Sequence, residues 1–243
     1  MAADLVSTLL ECATQIGQVV GEHRGRGLSG RRPTQYHLDV AADEVALRVL
    51  VGAGYRVMSE ESGLSGAGQI TVVVDPIDGS TNCDRGVPFY ATSLAALSGD
   101  ELIAGVVVNL VTGTTYAAER GAGATRDGAP ICTSAHTGIA GAIIGFSGTP
   151  ARHLGWAQSR ALGAASLEIC LVADGSLDAY AVAQRSTLHP WDYLAGALIV
   201  RESGGRVGEY DGAELVTIED VGRRFAAAAS EGLLEELLVA GLV

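Results

Sequence analysis

This 243-residue chain contains no lysine, since all 16 of its basic residues are arginine. A P-loop nucleotide-binding protein places a lysine on the nucleotide phosphates, so that class is excluded. Any positive charge in a functional site must therefore come from arginine, a metal ion or backbone N–H groups. With 28 acidic residues the net charge is −12, which argues against nucleic acid or an anionic membrane as the main partner.

Cysteine and long apolar runs are also scarce. The four cysteines (Cys12, Cys83, Cys132 and Cys170) are widely spaced and form no C-x-x-C pair, which is typical of reduced thiols in a cytoplasmic protein. The first residues include acids and no basic stretch, so we predict no signal peptide. No apolar run is long enough to span a bilayer. These absences predict a cytoplasmic protein that does not associate with membranes.

Hydrophobic residues make up 48% of the chain, which is enough for a sizeable core. Apolar periodicity predicts helices over four internal segments and over 231–242 at the C-terminus; the internal ones are 4–20, 38–54, 151–173 and 191–205. The stretch from about 90 to 146 has the pattern of a β meander, whereas the basic, glycine-rich segment 21–33 is predicted to be a mobile loop. Helices and meanders in separate blocks predict an α+β fold of stacked layers.

The most informative segment is DPIDGSTN, residues 75–82, which follows the run Val72–Val74. Consecutive β-branched residues are typical of a buried strand, and Pro76 is expected to end it at Asp75 because proline cannot continue the ladder. The turn then returns Asp78 to the side of Asp75. Two carboxylates that close repel each other unless a cation is present, and hard oxygen ligands suit Mg²⁺. The alternative is an ordinary Asp-Gly turn at the surface.

Gly79 and Ser80 extend this hypothesis from a metal to a phosphate group. Glycine lets a ligand approach the backbone closely, and Ser80 and Thr81 are good N-cap residues, so a helix is predicted to begin here. The free N–H groups of a first helical turn bind phosphate oxygens. Adjacent metal and phosphate sites are the arrangement that phosphoryl chemistry requires.

Three further acidic residues are candidates for the same site, although each has a structural alternative. Glu60 lies in SEESG (59–63) after a predicted strand, where exposed glutamate pairs are common. Asp192 stands at the start of the helix predicted over 191–205, where an acid often only stabilises the helix N-terminus. Asp43 lies inside an alanine-rich helix and carries no signal by itself.

Together these segments resemble the inositol monophosphatase family of Mg²⁺-dependent, lithium-sensitive phosphatases. Its two signatures are similar to DPIDGSTN and to WDYLAGALIVRESGG at 191–205. EES at 60–62 resembles the family's G-E-E-S, and LDVAAD at 38–43 resembles the segment that ends in an early aspartate. The order and approximate spacing of the four segments match over nearly the whole chain.

The resemblance implies a layered αβαβα sandwich that is commonly dimeric, so we expect a homodimer. Residues 1–243 would form one domain. Its N-terminal α+β part, to about residue 145, would hold the metal site, and 146–243 would form a C-terminal α/β part.

The resemblance also implies a role for each matching residue. Two or three Mg²⁺ ions would be held by Glu60, Asp75, the carbonyl of Ile77, Asp78 and Asp192. Glu60, or the pair Ser80 and Asp43, would orient and deprotonate the attacking water. The N–H groups of Gly79 and Ser80 would bind phosphate oxygens. Where the family often has a lysine before the second helix, this chain offers Arg31 or Arg32.

The substrate-facing segment departs from the family pattern. The loop 181–191 is a few residues longer than in inositol phosphatases, and it has no glutamate where that pattern binds inositol hydroxyls. Arg185 lies there instead, and a guanidinium binds a second phosphate, a carboxylate or a sugar hydroxyl; the alternative is an exposed loop residue. Gly163 and Ala165 match positions that contact the substrate ring, although small residues there are equally typical of helix packing.

The resemblance predicts a Mg²⁺-dependent phosphomonoesterase that hydrolyses a small phosphorylated polyol or sugar by direct attack of metal-activated water. Fructose 1,6-bisphosphate, a nucleotide 3′-phosphate, histidinol phosphate or an intermediate of a specialised pathway are alternative substrates. Haloacid-dehalogenase phosphatases use D-x-D-G-T and a later lysine, so a covalent aspartyl phosphate is not expected. A non-catalytic binding protein with a regulatory role is the alternative from a different class, and the presence of every expected ligand argues against it.

Overall fold

The computed structural model describes residues 2–22 and 26–241, which form six helices and thirteen strands. The helices are α1 (Ala2–Glu22), α2 (His37–Gly52), α3 (Ser80–Arg85), α4 (Ala165–Ala173), α5 (Pro190–Glu202) and α6 (Glu231–Ala240). The strands are β1 (Arg56–Ser59), β2 (Gly63–Ser65), β3 (Ile70–Asp78), β4 (Ala91–Ser98), β5 (Glu101–Asn109), β6 (Thr115–Glu119), β7 (Gly123–Arg126), β8 (Ala129–Pro130), β9 (Ile143–Ser147), β10 (Gln158–Arg160), β11 (Ala179–Val182), β12 (Arg206–Glu209) and β13 (Phe225–Ala228).

The strands form two sheets. The first has the order β2-β1-β3-β4-β5-β6-β7-β8 and is antiparallel except for the pair β1 and β3. The second has the order β10-β9-β11-β13-β12, in which β9 runs parallel to both of its neighbours. The first sheet ends at Pro130 and the second begins at Ile143, so each sheet is built from one continuous stretch of the chain.

Helices cover the sheets in alternating layers. Helices α1 and α2 pack on the outer face of the first sheet, α4 and α5 lie between the two sheets, and α6 covers the far side of the second sheet. Helix α5 is apolar over most of its circumference and almost entirely buried, as expected of a helix enclosed on all sides. The layered αβαβα arrangement is therefore confirmed. Among the described helices, none combines the length and the apolar character needed to cross a bilayer.

The strand before DPIDGSTN does not end at Asp75, so that prediction is wrong. Strand β3 continues to Asp78, with Asp75 opposite Ser93 and Asp78 opposite Ala91 on β4, and the register shifts between these two pairs. Pro76 has no N–H to donate to the ladder. Its carbonyl accepts a hydrogen bond from the Thr92 hydroxyl at 2.8 Å. The proline therefore makes an irregularity inside the strand rather than an end.

Two other predicted elements need correction. Only Ala165–Ala173 of the helix predicted over 151–173 is helical, and the preceding residues include the short exposed strand β10. Gly155 and Gly163 both have positive φ, which interrupts a helical backbone before Ala165. In the predicted loop 21–33, residues 23–25 lie outside the described part of the chain, and residues 21 and 22 belong to α1.

Candidate active site

Three aspartates meet where β3 ends against α5. Asp75 and Asp78 come from β3, and Asp192 comes from the first turn of α5. One carboxylate oxygen from each lies within 4.8 Å of the others, so the three form a group able to hold a metal ion. Asp75 and Asp78 are buried. The structure thus brings together two predicted ligands from the first sheet and one from the helix between the sheets.

Glu60 joins this group from the end of β1. Its backbone N–H donates to the carbonyl of Val74 at 3.0 Å, which places Glu60 beside β3, and its charge is among the causes that raise the pKa of Asp75. Arg32 donates to the Glu60 carbonyl at 2.9 Å, so the loop before α2 contributes a positive charge at the edge of the acidic site. Ile77 is buried between the two aspartates of β3, and the role of its carbonyl stays a prediction.

The carboxylate of Asp78 also caps helix α4. Its Oδ1 accepts from the Ala165 N–H at 3.2 Å, and its Oδ2 accepts from the Ser166 N–H at 2.7 Å and from the Ser166 hydroxyl at 2.5 Å. An acidic group at a helix N-terminus satisfies free N–H groups and is favoured by the helix dipole. Asp78 therefore connects the first sheet to helix α4.

The electrostatics of this cluster are unfavourable without a cation. Burial, followed by the charges of Glu60 and Asp78, raises the pKa of Asp75 well above its ordinary value. Burial and the charge of Asp78 do the same to the pKa of Asp192, and burial and the charge of Glu61 raise the pKa of Glu60 to about 7. Asp75 Oδ1 is buried and has no hydrogen-bond partner among the described residues. Crowded carboxylate oxygens with an unsatisfied atom are the donor set that Mg²⁺ binds.

The predicted pairing of Ser80 with Asp43 is not found. Asp43 Oδ1 accepts instead from the hydroxyls of Ser59 at 2.5 Å and Ser62 at 3.1 Å. The aspartate that Ser80 approaches is Asp39, one helical turn earlier. Burial raises the pKa of Asp39 to about 7, and the Ser80 hydroxyl acts in the opposite direction by lowering it. The two aspartates are four residues apart on one helix face. The position of α2 relative to β3 decides which of them lies near Ser80, and that one is Asp39.

Gly79 is the N-cap of α3, and Ser80 is the first residue of the helix, so the helix starts one residue earlier than a serine or threonine N-cap would place it. Gly79 has φ +84°, and a Cβ there would lie 2.9 Å from the Gly163 carbonyl. Asn82 donates to the carbonyls of Leu162 and Phe89, both at 2.8 Å. This turn therefore packs directly against the loop that leads into α4.

A cavity of about 300 Å³ opens beside the aspartates. Asp78, Asp192, Gly163 and Ala165 are among the residues that line it. Arg185 is exposed and lines a neighbouring cavity of about 510 Å³. The two cavities share Gly148, so Arg185 lies next to the first cavity rather than in it.

A family model described as "Inositol monophosphatase family" matches residues 3–242. The chain belongs to the inositol monophosphatase family. It is 37% identical over 182 residues to the fructose-1,6-bisphosphatase/inositol-1-monophosphatase of Archaeoglobus fulgidus, a match that covers 73% of this chain and 71% of the relative. It is 29% identical over 244 residues to a protein of Xylella fastidiosa that bears the name Nus factor SuhB, covering 91% and 88% of the two chains.

Solved structures agree with this assignment to the inositol monophosphatase family. The crystal structure of the extragenic suppressor protein SuhB from Bartonella henselae superposes with a TM-score of 0.83 at 27% identity, and the match covers 98% of each chain. The two sheets and the layered helices therefore belong to a fold that extends over nearly the full length of both proteins.

Sequence reasoning missed two buried acids of this inositol monophosphatase family member. Asp39 carried a signal, since it lies in the same LDVAAD segment as Asp43, but the spacing alone did not separate them. Glu168 is the one charged residue in the apolar helix ASLEICLVA, and a charge in an otherwise apolar helix is costly unless it has partners. Its Oε2 accepts from the N–H groups of Leu162 and Gly163, each at 3.1 Å.

Proposed function

We propose that this protein is a Mg²⁺-dependent phosphomonoesterase that hydrolyses a small phosphorylated polyol or sugar. The observation that supports the proposal most directly is the convergence of Asp75, Asp78 and Asp192, two of which also line a cavity that can accept a small organic group. Glu60 and the carbonyl of Ile77 complete the proposed ligand set for two or three ions. Bound Mg²⁺ would lower the pKa of water and neutralise phosphate oxygens.

The side chains around the metal ligands have separate roles in this proposal. Backbone N–H groups of Gly79 and Ser80 bind the phosphate oxygens. The Ser80 hydroxyl orients the attacking water, and Asp39, rather than Asp43, receives the proton through Ser80. Water attacks phosphorus opposite the ester oxygen, the bond between phosphorus and that oxygen breaks, and the alcohol leaves with a proton from solvent.

The first test is release of inorganic phosphate from inositol 1-phosphate, fructose 1,6-bisphosphate, 3′-phosphoadenosine 5′-phosphate, histidinol phosphate and several sugar phosphates, each with Mg²⁺ and with EDTA. We expect turnover of at least one substrate in Mg²⁺ and none in EDTA. Asp78→Asn and Asp192→Asn should lose nearly all turnover. Asp127→Asn is the matched control, because Asp127 lies in an exposed turn and its side chain accepts from the Thr115 N–H through Oδ1, an acceptor that asparagine retains. Full turnover in both site variants would contradict the assignment.

A second phosphate on the substrate is the variant of this function that Arg185 favours. The arginine lines the cavity that adjoins the metal-side cavity, and a guanidinium there binds a phosphate or a carboxylate at the far end of a longer substrate. Arg185→Gln should then raise KM for fructose 1,6-bisphosphate by about tenfold while changing KM for inositol 1-phosphate by less than about twofold. Equal effects on the two substrates would remove Arg185 from the substrate site.

A regulatory binding protein is the alternative from a different class, and the similarity to a protein named Nus factor SuhB favours it. Mg²⁺ binding measured by calorimetry, together with no turnover on the full panel, would support this alternative. We further propose a homodimer in the cytoplasm, and sedimentation equilibrium of the full chain tests the oligomeric part.

A further inference from the structure

Arg185 lies in a cavity that is otherwise neutral. The polar residues that line this cavity of about 510 Å³ include Thr149, Gln184 and Ser186, and among its described lining residues Arg185 alone is charged. Arg185 is exposed, and it forms no ion pair with any residue that the structure describes. Its guanidinium is therefore available to an anion that enters this cavity, which we call the Arg185 cavity.

A pair of serine hydroxyls joins the wall of the Arg185 cavity to the wall of the metal-side cavity, which Asp78 and Asp192 line. Ser147 lines the metal-side cavity and Ser186 lines the Arg185 cavity. Their hydroxyl oxygens are 3.0 Å apart, which is hydrogen-bond distance. This bond connects the end of β9 to the loop that carries Arg185.

The backbone closes the same junction tightly. The Ala183 N–H donates to the Ser147 carbonyl at 2.9 Å, and the Ser186 N–H donates to the Ala183 carbonyl at 2.9 Å. Gly148 lines both cavities and has φ +81°. A Cβ placed on Gly148 would lie 3.1 Å from the Ser186 Cβ and 3.3 Å from the Ala183 Cβ. The loop can therefore approach the end of β9 this closely because position 148 has no side chain.

We propose that Ser186 positions Arg185 to bind a second phosphate on the leaving group of a substrate that extends from the metal-side cavity, past Gly148, into the Arg185 cavity. Arg185 precedes Ser186 in the loop, so the hydrogen bond between Ser186 and Ser147 limits where the guanidinium can reach. This inference rests on the proposed phosphatase function and extends it to a residue that sets the preference for substrates with two phosphates.

The test is Ser186→Ala assayed with fructose 1,6-bisphosphate and with inositol 1-phosphate, which carries a single phosphate. Without the hydrogen bond to Ser147 the loop is less constrained, so KM for fructose 1,6-bisphosphate should rise about fivefold at an unchanged kcat. KM for inositol 1-phosphate should stay unchanged. Ser186→Thr keeps the hydroxyl and should restore the wild-type KM. A merely structural role would impair both substrates alike, and that result would overturn the proposal.

A double variant distinguishes positioning through Arg185 from a direct contact of Ser186 with the substrate. Two residues that act through one interaction are not additive. Ser186→Ala combined with Arg185→Gln should therefore have the same KM for fructose 1,6-bisphosphate as Arg185→Gln alone. A further increase of about fivefold in the double variant would show that Ser186 acts independently of Arg185 and would contradict the inference.

Thr114→Ala is the matched control, because the Thr112 and Thr114 hydroxyls are also 3.0 Å apart but line neither cavity. Its KM values should equal those of the wild type. Binding of fructose 1,6-bisphosphate in Mg²⁺, measured by phosphorus NMR, separates this inference from the phosphatase proposal. Binding that is weaker in Ser186→Ala than in the wild type supports the inference even where turnover fails. Binding that is equal in both proteins, or absent from both, overturns it.

Discussion

At the residue scale, Asp39 and Asp43 differ in what their carboxylates contact. Asp43 has two hydroxyl donors, from Ser59 and Ser62, and so fixes the segment that follows β1. Asp39 accepts from the Tyr36 N–H at 2.8 Å, and its Oδ1 has no hydrogen-bond partner among the described residues. A carboxylate with a free oxygen near a hydroxyl is suited to proton transfer. Asp43 instead holds two hydroxyl donors on its Oδ1, which ties α2 to the end of β1 and the residues after it.

This difference predicts opposite effects of two asparagine variants. Asp39→Asn should lower kcat by about 10² or more, because general-base catalysis contributes a factor of that size, with little change in unfolding free energy. Asp43→Asn should keep kcat within about tenfold and lose about 1–2 kcal/mol of stability through weaker hydrogen bonds. Steady-state kinetics and urea denaturation of both variants check this, and a larger kcat loss in Asp43→Asn would reverse the assignment.

The buried Glu168 predicts a pH dependence of stability. Burial raises its pKa in the folded protein to about 7 from an ordinary 4.5, so the folded state binds its proton more tightly than the unfolded state. Stability from this group is therefore full below about pH 4.5 and is lost as the pH rises through 7. The shift corresponds to about 3 kcal/mol. Urea denaturation checks this at pH 5 and pH 8. Between these two pH values the unfolding free energy of Glu168→Gln should rise by about that much relative to that of the wild type. A difference between the two proteins that is the same at both pH values would contradict the prediction.

At the element scale, the turn between β3 and α3 depends on one glycine. Gly79 has a positive φ and lies against the Gly163 carbonyl and the Ala164 side chain. These contacts place the start of α3 beside the start of α4, so the predicted phosphate-binding N–H groups and the substrate cavity come from neighbouring turns. The tight fit explains why the N-cap is glycine although serine and threonine follow it.

Gly79→Ala should therefore cost more than a positive φ alone. Strain from φ costs about 1–2 kcal/mol, and the clash with the Gly163 carbonyl adds about 1–3 kcal/mol. Gly128→Ala is the control, since Gly128 has φ +78° and no atom within 4 Å of the added Cβ. Guanidinium denaturation should show Gly79→Ala as the less stable variant, and phosphate release should fall only in that variant. Equal losses of stability would mean that the clash relaxes without cost.

At the scale of the whole molecule, the metal site joins parts of the chain that are distant in sequence. Asp75 and Asp78 belong to the first sheet, and Asp192 belongs to the helix that separates the sheets. Without a cation the carboxylates repel each other within a buried space, so the junction between the layers carries an electrostatic penalty. An ion bound by the three carboxylates would remove this penalty and connect the layers.

Mg²⁺ should consequently stabilise the folded protein. At a free concentration 100 times Kd the gain is about 2.7 kcal/mol, which is about 5–10 °C in Tm for a chain of this length. Differential scanning calorimetry in EDTA and in increasing Mg²⁺ checks this. Asp192→Asn should lose most of the increase and Asp127→Asn should keep it. An increase of equal size in all three proteins would place the ion elsewhere.

The sequence by itself determined the layered fold, the family and the main acidic motif. The features that carried these predictions are local: the run Val72–Val74, the motif DPIDGSTN and the buried helix that begins near Asp192. Hydrophobic periodicity and turn chemistry depend on residues that are near each other in sequence, so such features can be read from the sequence. The extent of β3 across Pro76 was not predictable in this way, because the Thr92 hydroxyl that serves its carbonyl comes from another strand.

Only the tertiary structure decided which of two aspartates on one face of α2 approaches Ser80, and that Glu168 lines the cavity beside Asp78 and Asp192. Asp39 and Asp43 are separated by one helical turn, about 6 Å, and the packing of α2 on the first sheet selects between them. Glu168 is a charge in an apolar helix, and its partners lie in the loop before α4. Hydrogen-bond partners and shared cavities are set by how elements pack, and local sequence patterns carry no record of that packing.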